Sequence, residues 1–324
     1  NVKKEIFFIK NIFSDIKINN LKKKYFEIQD EINSLLIGSK VSKFQKDNSN
    51  KKFSVKSNIS KKRFFQIVNK AKQYIKKGDI FQVVLSQRFE SKLTKKPIEI
   101  YKKLRVTNPS PFMFFFNFND FQIIGASPEI LVRLRNNIIT VRPIAGTRPR
   151  GRNNKEDNLL KKDLINDKKE LSEHLMLLDL GRNDAGKVSK INTIKVTEKF
   201  KIEKYSHVMH IVSNVTGIYD KKFSKFEALM AGFPAGTVSG APKIRAMEII
   251  DELEKNSRKI YAGGIGYFSA NGDFDTCIAL RTAITKNNKF YVQAGAGIVA
   301  DSKPINEYNE TINKAKALIK SLEK

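Results

Sequence analysis

Two pairs of glutamates are spaced for metal chemistry. Glu170 and Glu173 stand three residues apart in KELSEHLMLLDLGRND, and Glu307 and Glu310 have the same spacing in NEYNETINKA. Because residues i and i+3 share one face of a helix, two helices could turn four carboxylates towards one cleft. Such hard oxygen ligands suit Mg²⁺. The alternative interpretation is that each pair lies on a solvated helix face.

Small residues end two strand patterns at points where a ligand could approach the backbone. Gly146 and Thr147 follow a strand pattern in RPIAGTRPRG, and Gly295, Ala296 and Gly297 end another in QAGAGIVAD. Without bulky side chains, backbone N–H groups can reach anionic oxygens. Ordinary turns or bulges would explain the same residues, so each loop alone leaves both interpretations open.

Several arginines are placed to meet an anion. Arg142, Arg148, Arg150 and Arg152 surround the first glycine loop, where we expect them to raise the local positive potential. Arg281 is a lone charge in the apolar strand pattern CIALRTAI. A buried arginine needs a partner, and a bidentate carboxylate is the natural one. That carboxylate could belong to a ligand or to a structural salt bridge.

Two other segments could supply proton transfer and a further anion contact. His210, in the strand pattern YSHVMHIVSNVTG, is either structural or a proton carrier. The stretch GTVSGAPKIRAMEII predicts a helix over about 241–253, capped by Ser239, with Pro242 in its first turn. The amide groups at such a helix start attract anions. Together these stretches predict a site for a small polyanionic ligand held by Mg²⁺, an arginine and backbone amides.

The elements that must position these groups are mostly strands. Strand patterns recur from about residue 80 to 146 and return after residue 260, whereas helices are predicted at 61–77, 158–180 and from about Pro304. Many strands with few interleaved helices predict an α+β architecture of packed sheets rather than a doubly wound parallel sheet.

Composition limits the class of protein. Among 324 residues, one cysteine excludes an intrachain disulfide framework, and only three histidines accompany it, which argues against zinc. No apolar run is long enough to span a bilayer, so we expect a cytoplasmic protein without a membrane partner. The net charge of +28 fits a nucleic-acid-binding protein or compositional drift. Because the basic residues are scattered doublets rather than one stripe, drift is favoured and no nucleic-acid partner is expected.

Six blocks of the sequence resemble the chorismate-utilising enzymes. The blocks are RPIAGTRPRG, ELSEHLMLLDLGRND, SHVMHIVS, GTVSGAPKIRAMEII, GGIGYFSANGDFDTCIALRT and QAGAGIVADSKPINEYNET. Within that family they are most similar to the anthranilate synthase component I group, over about residues 60–320. The resemblance implies large antiparallel β-sheets packed as a sandwich with flanking helices. We place this catalytic domain at 56–324 and interpret 1–55, including the polar stretch 45–54, as the remnant of an N-terminal region and a linker.

The resemblance also implies a reaction. It is the Mg²⁺-dependent conversion of chorismate and ammonia into anthranilate and pyruvate, with ammonia delivered from glutamine by a separate glutamine amidotransferase subunit. Aminodeoxychorismate synthase component I is the nearest alternative. Its members often carry lysine where this chain has Ala145, and isochorismate and salicylate synthases carry a water-activating lysine where it has Gln82. Ammonia needs no such base, so both residues favour the anthranilate reaction.

Motif positions carry the family's binding residues onto this chain. By resemblance, Glu173 and Glu310 ligate Mg²⁺, with Glu170 and Glu307 close behind them. The residues implied to contact substrate oxygens are Gly146, Thr147, Tyr261, Arg281, Gly295, Ala296 and Gly297.

The resemblance assigns three catalytic residues and part of a regulatory site. Glu129, in GASPEIL, matches the general acid for the departing C4 hydroxyl, and His210 matches a residue of the later pyruvate elimination. Thr237 lines the same pocket in the family. The block NPSPFMFFF resembles half of a tryptophan feedback site, which here comprises Pro111, Phe112 and Met113. The other half belongs to an N-terminal segment that we do not recognise, so the predicted feedback site is partial.

Overall fold

The computed structural model describes residues 22–30, 33, 54–205 and 208–322. The chain separates into two compact units, 1–50 and 51–324. In the first unit the structure describes helix α1 (22–30), most of whose residues are exposed. Nearly all of the polar stretch 45–54 lies outside the described residues, and the domain boundary expected at residue 56 stays a prediction.

The described part of the second unit contains fourteen strands. In chain order they are β1 (Val55–Ser57), β2 (Gln82–Lys92), β3 (Phe112–Asn117), β4 (Phe121–Ser127), β5 (Ile130–Arg135), β6 (Ile138–Val141), β7 (Ile144–Pro149), β8 (Lys195–Lys204), β9 (Val208–Ile218), β10 (Gly240–Ala241), β11 (Gly264–Phe268), β12 (Phe274–Ile278), β13 (Thr282–Lys286) and β14 (Lys289–Ile298). They make two seven-stranded sheets. Sheet A has the order β1-β2-β14-β13-β4-β3, with β10 beside β2, and sheet B has the order β11-β12-β5-β6-β9-β7, with β8 beside β9. The described pairings are antiparallel, which confirms the predicted α+β fold.

Helices cover one face of each sheet. They are α2 (Lys61–Lys76), α3 (Pro97–Thr107), α4 (Asn154–Asn166), α5 (Lys168–Gly186), α6 (Lys225–Met230), α7 (Lys243–Leu253) and α8 (Pro304–Leu322). In sheet A, α2 and α7 pack over β2, while α3 and α8 pack over β4, β13 and β14. In sheet B, α5 and α6 share a core with β5, β6 and β9. Within the described ranges, no helix is long and apolar enough to cross a membrane, and the cytoplasmic location stays a prediction.

Two local predictions were wrong. The single helix expected at 158–180 is two helices, because Asp167 ends α4 and caps α5, where its carboxylate accepts from the backbone N–H of Glu170 at 3.2 Å. Ser239 does not cap α7, since Pro242 occupies that position. The Ser239 hydroxyl is buried and donates to a backbone carbonyl instead.

Candidate active site

A cavity of about 810 Å³ is lined by strands of both sheets together with α5 and α8. It gathers residues that are far apart along the chain. The predicted site residues that line it are Glu129, Gly146, Thr147, Glu170, Glu173, His210, Thr237, Tyr261, Arg281, Gly295, Gly297, Glu307 and Glu310. The fold therefore brings together nearly all of the residues that the sequence singled out.

Glycines on β14 leave room in the cavity wall. A Cβ atom at Gly295 would lie 2.8 Å from the Tyr261 hydroxyl oxygen, and Gly297 lines the same wall. Ala296 lies between them but pairs with Leu85, a residue of the helix-side core. Because opposite residues on neighbouring strands share a face, the Ala296 side chain points away from the cavity. Unlike its two neighbours, Ala296 does not line the cavity.

Gly146 and Thr147 lie inside β7 rather than after the end of a strand, so that prediction was wrong, and Gly146 is the extra residue of a β-bulge. The register of β7 against β9 shifts between Ala145 and Thr147, and Gly146 has a φ of +71°. Glycine adopts this conformation without the steric cost that other residues bear. A Cβ atom here would also lie 3.2 Å from the Glu170 carboxylate. The backbone conformation and the close carboxylate together account for the glycine.

The arginines around this bulge form structural ion pairs. Three of them are neutralised by carboxylates, and the pairs are Arg142 with Glu198 and Glu203, Arg148 with Asp163, Asp167 and Glu170, and Arg150 with Asp157. Arg152 is exposed. The expectation that these guanidinium groups give the glycine loop a positive potential was wrong for the three paired arginines, because nearby negative charges cancel theirs.

The four predicted carboxylates reach the cavity from α5 and α8. Burial, together with the negative charges of Glu170 and Glu310, raises the pKa of Glu173 to about 7. Burial likewise raises the pKa of Glu307, with a contribution from Glu310. The mutual repulsion means that carboxylates of the two helices face one another closely enough to interact.

These carboxylates suit a Mg²⁺ ion that retains water. In the part of the chain that the structure describes, no three metal-binding side chains converge on one point. Mg²⁺ does not require such a set, because it usually keeps several waters and binds through one or two carboxylates. A cation held by Glu173 and Glu310 would offset the repulsion that adds to the effect of burial on the pKa of Glu173. The donor chemistry therefore fits the ion.

The imidazole of His210 is held in its neutral form. Its Nδ1 atom lies 3.0 Å from the Gly146 carbonyl oxygen and 3.0 Å from the Thr147 hydroxyl oxygen. A carbonyl can only accept, so Nδ1 carries the hydrogen and Nε2 keeps its lone pair. Burial, aided by the charge of Arg281, lowers the pKa of His210 to about 4 despite the hydrogen bond to Gly146. The imidazole is therefore neutral at neutral pH.

Glu129 is a buried acid beside Thr237. Burial raises the pKa of Glu129 to about 8, although Thr237, Lys314 and Arg281 favour its charged form. At neutral pH the carboxyl group therefore carries the proton that a general acid must donate. The Thr237 hydroxyl oxygen is buried and has no partner of regular hydrogen-bond geometry among the described residues.

Arg281 enters the cavity without a carboxylate partner from the described part of the chain. It is partly buried, and burial lowers its pKa, while the opposing effects of Tyr205 and Glu129 do not amount to an ion pair. Its φ of +46° places it in the left-handed region, which is unusual for a residue other than glycine. Of the two interpretations of this arginine, contact with a ligand carboxylate is the one that the geometry favours.

Sequence reasoning missed Lys314. This residue of α8 lines the cavity, donates to the Gly295 carbonyl oxygen at 3.0 Å and pairs with Glu310 at 2.7 Å. Only its spacing of four residues from Glu310 could have indicated it, and such pairs are common on helix surfaces. Ala145 and Gln82, which stand where other members of the family carry lysine, also line the cavity.

The residues of the predicted partial feedback site lie at the edge of sheet A, outside the cavity. Phe112 and Met113 begin β3, the edge strand of sheet A, and Pro111 precedes them. None of the three lines the cavity. A tryptophan site at these residues stays a prediction.

Comparisons with known proteins agree on one family. The family model described as chorismate binding enzyme matches residues 8–320. Anthranilate synthase component 1 of Cereibacter sphaeroides is 61% identical over 269 residues, which are 83% of this chain and 54% of that protein. The protein of the same name from Acetivibrio thermocellus is 58% identical over 270 residues, 83% of this chain and 55% of that protein. The chain thus spans about half the length of the curated relatives it matches.

A solved structure extends this similarity to the fold. The crystal structure of anthranilate synthase component I from Streptococcus pneumoniae superposes with a TM-score of 0.85 at 45% identity. The match covers 96% of this chain and 68% of that one. The relationship therefore holds in the fold as well as in the sequence.

Proposed function

The chain belongs to the chorismate-binding enzyme family, and from that premise we propose that it carries the chorismate-converting activity of an anthranilate synthase. The observation that supports this most is the combination of groups in one cavity. A protonated carboxyl group, Glu129, and a neutral imidazole, His210, share it with the guanidinium of Arg281, which forms no ion pair with the residues that the structure describes. The reaction needs these three chemical roles, namely an acid, a base and a carboxylate anchor.

Substrate binding relies on charge and on open backbone. Arg281 forms a bidentate pair with a chorismate carboxylate, since its guanidinium has no competing ion pair within the described residues. Gly146, Gly295 and Gly297 allow substrate oxygens to approach the wall. Glu173 and Glu310 would hold Mg²⁺, which supplies positive charge for the ring carboxylate when bound.

The first step replaces the C4 hydroxyl group by an amine at C2. Ammonia forms the new C2–N bond, the ring double bonds shift, and the C4–O bond breaks. Glu129 gives its proton to the departing hydroxyl, which leaves as water, and the new C2–NH3⁺ group releases one proton to solvent, which leaves a neutral amine. The raised pKa of Glu129 keeps that proton in place at neutral pH.

The second step makes the ring aromatic. His210 takes the proton from C2 through Nε2, the electron pair forms the ring double bond, and the C3–O bond breaks to release enolpyruvate, which becomes pyruvate. The hydrogen bond from Nδ1 to the Gly146 carbonyl keeps Nε2 free to accept that proton.

The cysteine of this chain is not suited to release ammonia from glutamine. Cys277 is the only cysteine of the sequence; it is buried, and burial raises the pKa of its thiol to about 12. A thiol of that kind is a poor nucleophile because the thiolate is the reactive form. We therefore assign glutamine hydrolysis to a separate amidotransferase subunit.

Product analysis under three conditions tests this function. The chain is incubated with chorismate and Mg²⁺, together with ammonium at alkaline pH, with glutamine alone, or with glutamine and an amidotransferase subunit. Anthranilate fluorescence and pyruvate should appear in the first and third conditions only. Isochorismate or aminodeoxychorismate as sole product would contradict the argument from Ala145 and Gln82. Turnover with glutamine alone would contradict the two-subunit arrangement.

A further inference from the structure

An ion pair lies directly behind one wall of the cavity. Arg258 donates through Nε to Oε2 of Glu254 at 3.0 Å and through Nη2 to Oε1 at 2.7 Å. Their side chains are only 15% and 6% exposed. Neither residue lines the main cavity, so neither can touch a ligand within it.

The remaining donors of Arg258 hold the cavity wall itself. Nη1 donates to the Val238 carbonyl oxygen at 2.6 Å, and Nη2 donates to the Val84 carbonyl oxygen at 2.7 Å. The guanidinium also lies 5.5 Å from the centre of the Tyr261 ring, within the range of a cation–π contact. Val84, Val238 and Tyr261 all line the cavity and come from three separate segments of the chain. One planar group therefore ties these three segments together.

Glu254 extends the same network to a fourth segment. Its Oε1 accepts from the backbone N–H of Ser86 at 2.7 Å and from the Ser86 hydroxyl at 2.9 Å. The Ser86 oxygen in turn accepts from Nε2 of Gln293 at 2.7 Å, and Gln293 lines the cavity on β14. Arg258 and Glu254 thus connect β2, β14, the segment containing Val238 and the segment containing Tyr261.

We propose that Arg258, through its ion pair with Glu254, is a positioning residue that orients the Tyr261 side of the cavity wall for substrate. The inference rests on the proposed function, because chorismate is the substrate in question. A lysine could not replace this arginine, since a compact ammonium lacks the planar fork that reaches Glu254, Val84 and Val238 at once. The hydroxyl group of Tyr261 lies beside Gly295, so rotation of its ring would alter the contact surface there.

Arg258→Lys is the main test, with chorismate, ammonium and Mg²⁺ as the assay. We expect kcat/KM to fall roughly 10- to 100-fold, mostly through a higher KM for chorismate, because small displacements of a binding wall are costly. In a Tyr261→Phe background the same substitution should have an effect at least about threefold smaller, since residues that act together are not additive. If Arg258 only stabilised the fold, Arg258→Lys would lower kcat/KM by the same factor in the wild-type and Tyr261→Phe backgrounds.

Arg245→Lys is the matched control. Arg245 also pairs with two carboxylates, Asp79 at 3.1 Å and Glu248 at 2.8 Å, and lies 5.3 Å from the Tyr74 ring centre. It does not line the cavity, so kcat/KM should stay within about twofold of the wild-type value. If Arg258→Lys does not fold, Glu254→Gln gives the second test, because it weakens the pair but keeps an acceptor for Ser86.

The outcomes separate the inference from the proposed function. Wild-type anthranilate formation with an unchanged KM in Arg258→Lys, or equal effects in both Tyr261 backgrounds, would overturn the positioning role alone. A wild-type chain that makes no anthranilate would overturn the proposed function, and the positioning role with it. A raised KM that depends on the Tyr261 hydroxyl supports the inference.

Discussion

The Nδ1 atom of His210 lies 3.0 Å from the carbonyl oxygen of Gly146. Since that carbonyl can only accept, the contact sets the tautomer of the imidazole and leaves Nε2 as the basic atom. Gly146 can present its carbonyl there because it is the bulge residue of β7, with a φ of +71°. The residue that shapes the glycine loop thus also determines which ring nitrogen is basic.

His210→Ala should lower kcat by about 10²- to 10⁴-fold and change KM little, because a general base acts in the transition state. At a fixed concentration of free ammonia, the contribution of His210 to kcat should stay level down to about pH 5 and fall as the pH approaches 4, where His210 takes up a proton. Steady-state kinetics across pH provide the measurement. Thr197→Val is the control, since it removes a hydrogen bond to Asn214 outside the cavity. A kcat of His210→Ala within threefold of the wild-type value would exclude the base.

Glu129→Gln should lower kcat by about 10²- to 10⁴-fold, because the amide cannot donate the proton. It should also change the pH dependence of stability. In the folded wild type the pKa of Glu129 is about 8, whereas the ordinary carboxyl value is 4.5. Between these two values the folded state holds a proton that the unfolded state has lost. The free energy of unfolding of the wild type therefore decreases as the pH rises from 4.5 to about 8. The melting temperature of Glu129→Gln, measured relative to that of the wild type, should therefore increase between pH 5 and pH 9. An unchanged difference between the two proteins across that range would contradict the raised pKa.

Arg281→Lys should reduce kcat/KM for chorismate by about tenfold or more. Lysine keeps the charge but loses the fork that matches a carboxylate in two places. Arg133→Lys provides the control, because Arg133 pairs with Asp275 at 3.0 Å and does not line the cavity. Full activity of Arg281→Lys would identify Arg281 as a structural residue.

Glu310→Gln should abolish the response of activity to added Mg²⁺ at limiting concentrations and strongly lower turnover, while the circular dichroism spectrum stays unchanged. The reason is the loss of one of two carboxylates that would hold the ion. Glu99→Gln, an exposed change in the first turn of α3, serves as the control. A wild-type Mg²⁺ titration curve for Glu310→Gln would refute this metal assignment.

Local patterns were sufficient for much of the fold. Helix α2 was predicted from the apolar spacing of Phe64, Ile67, Val68, Ala71 and Ile75; the first four are in the core, and Ile75 is partly buried against it. A helix or strand of this kind buries one face, so its periodicity appears in the sequence whatever it packs against. The family blocks also contained most of the predicted site residues that the fold brings to the cavity.

The partners of charged side chains could not be predicted from the sequence in the same way. The partners of Arg142, Arg148 and Arg150 are carboxylates that the fold brings to them, whereas Arg281 is left without one among the described residues. The four arginines have the same chemistry along the sequence. Only their three-dimensional neighbours distinguish a structural ion pair from a free anchor.

The sequence by itself determined the family blocks, the antiparallel α+β architecture and the set of groups available for catalysis. Only the tertiary structure decided that Ala296 faces away from the cavity, that Lys314 enters it, and that Glu129 holds a proton at neutral pH. The reason is that side-chain direction depends on strand register, and that a pKa depends on burial and on charges from other segments. Both arise from contacts between residues that are remote in sequence.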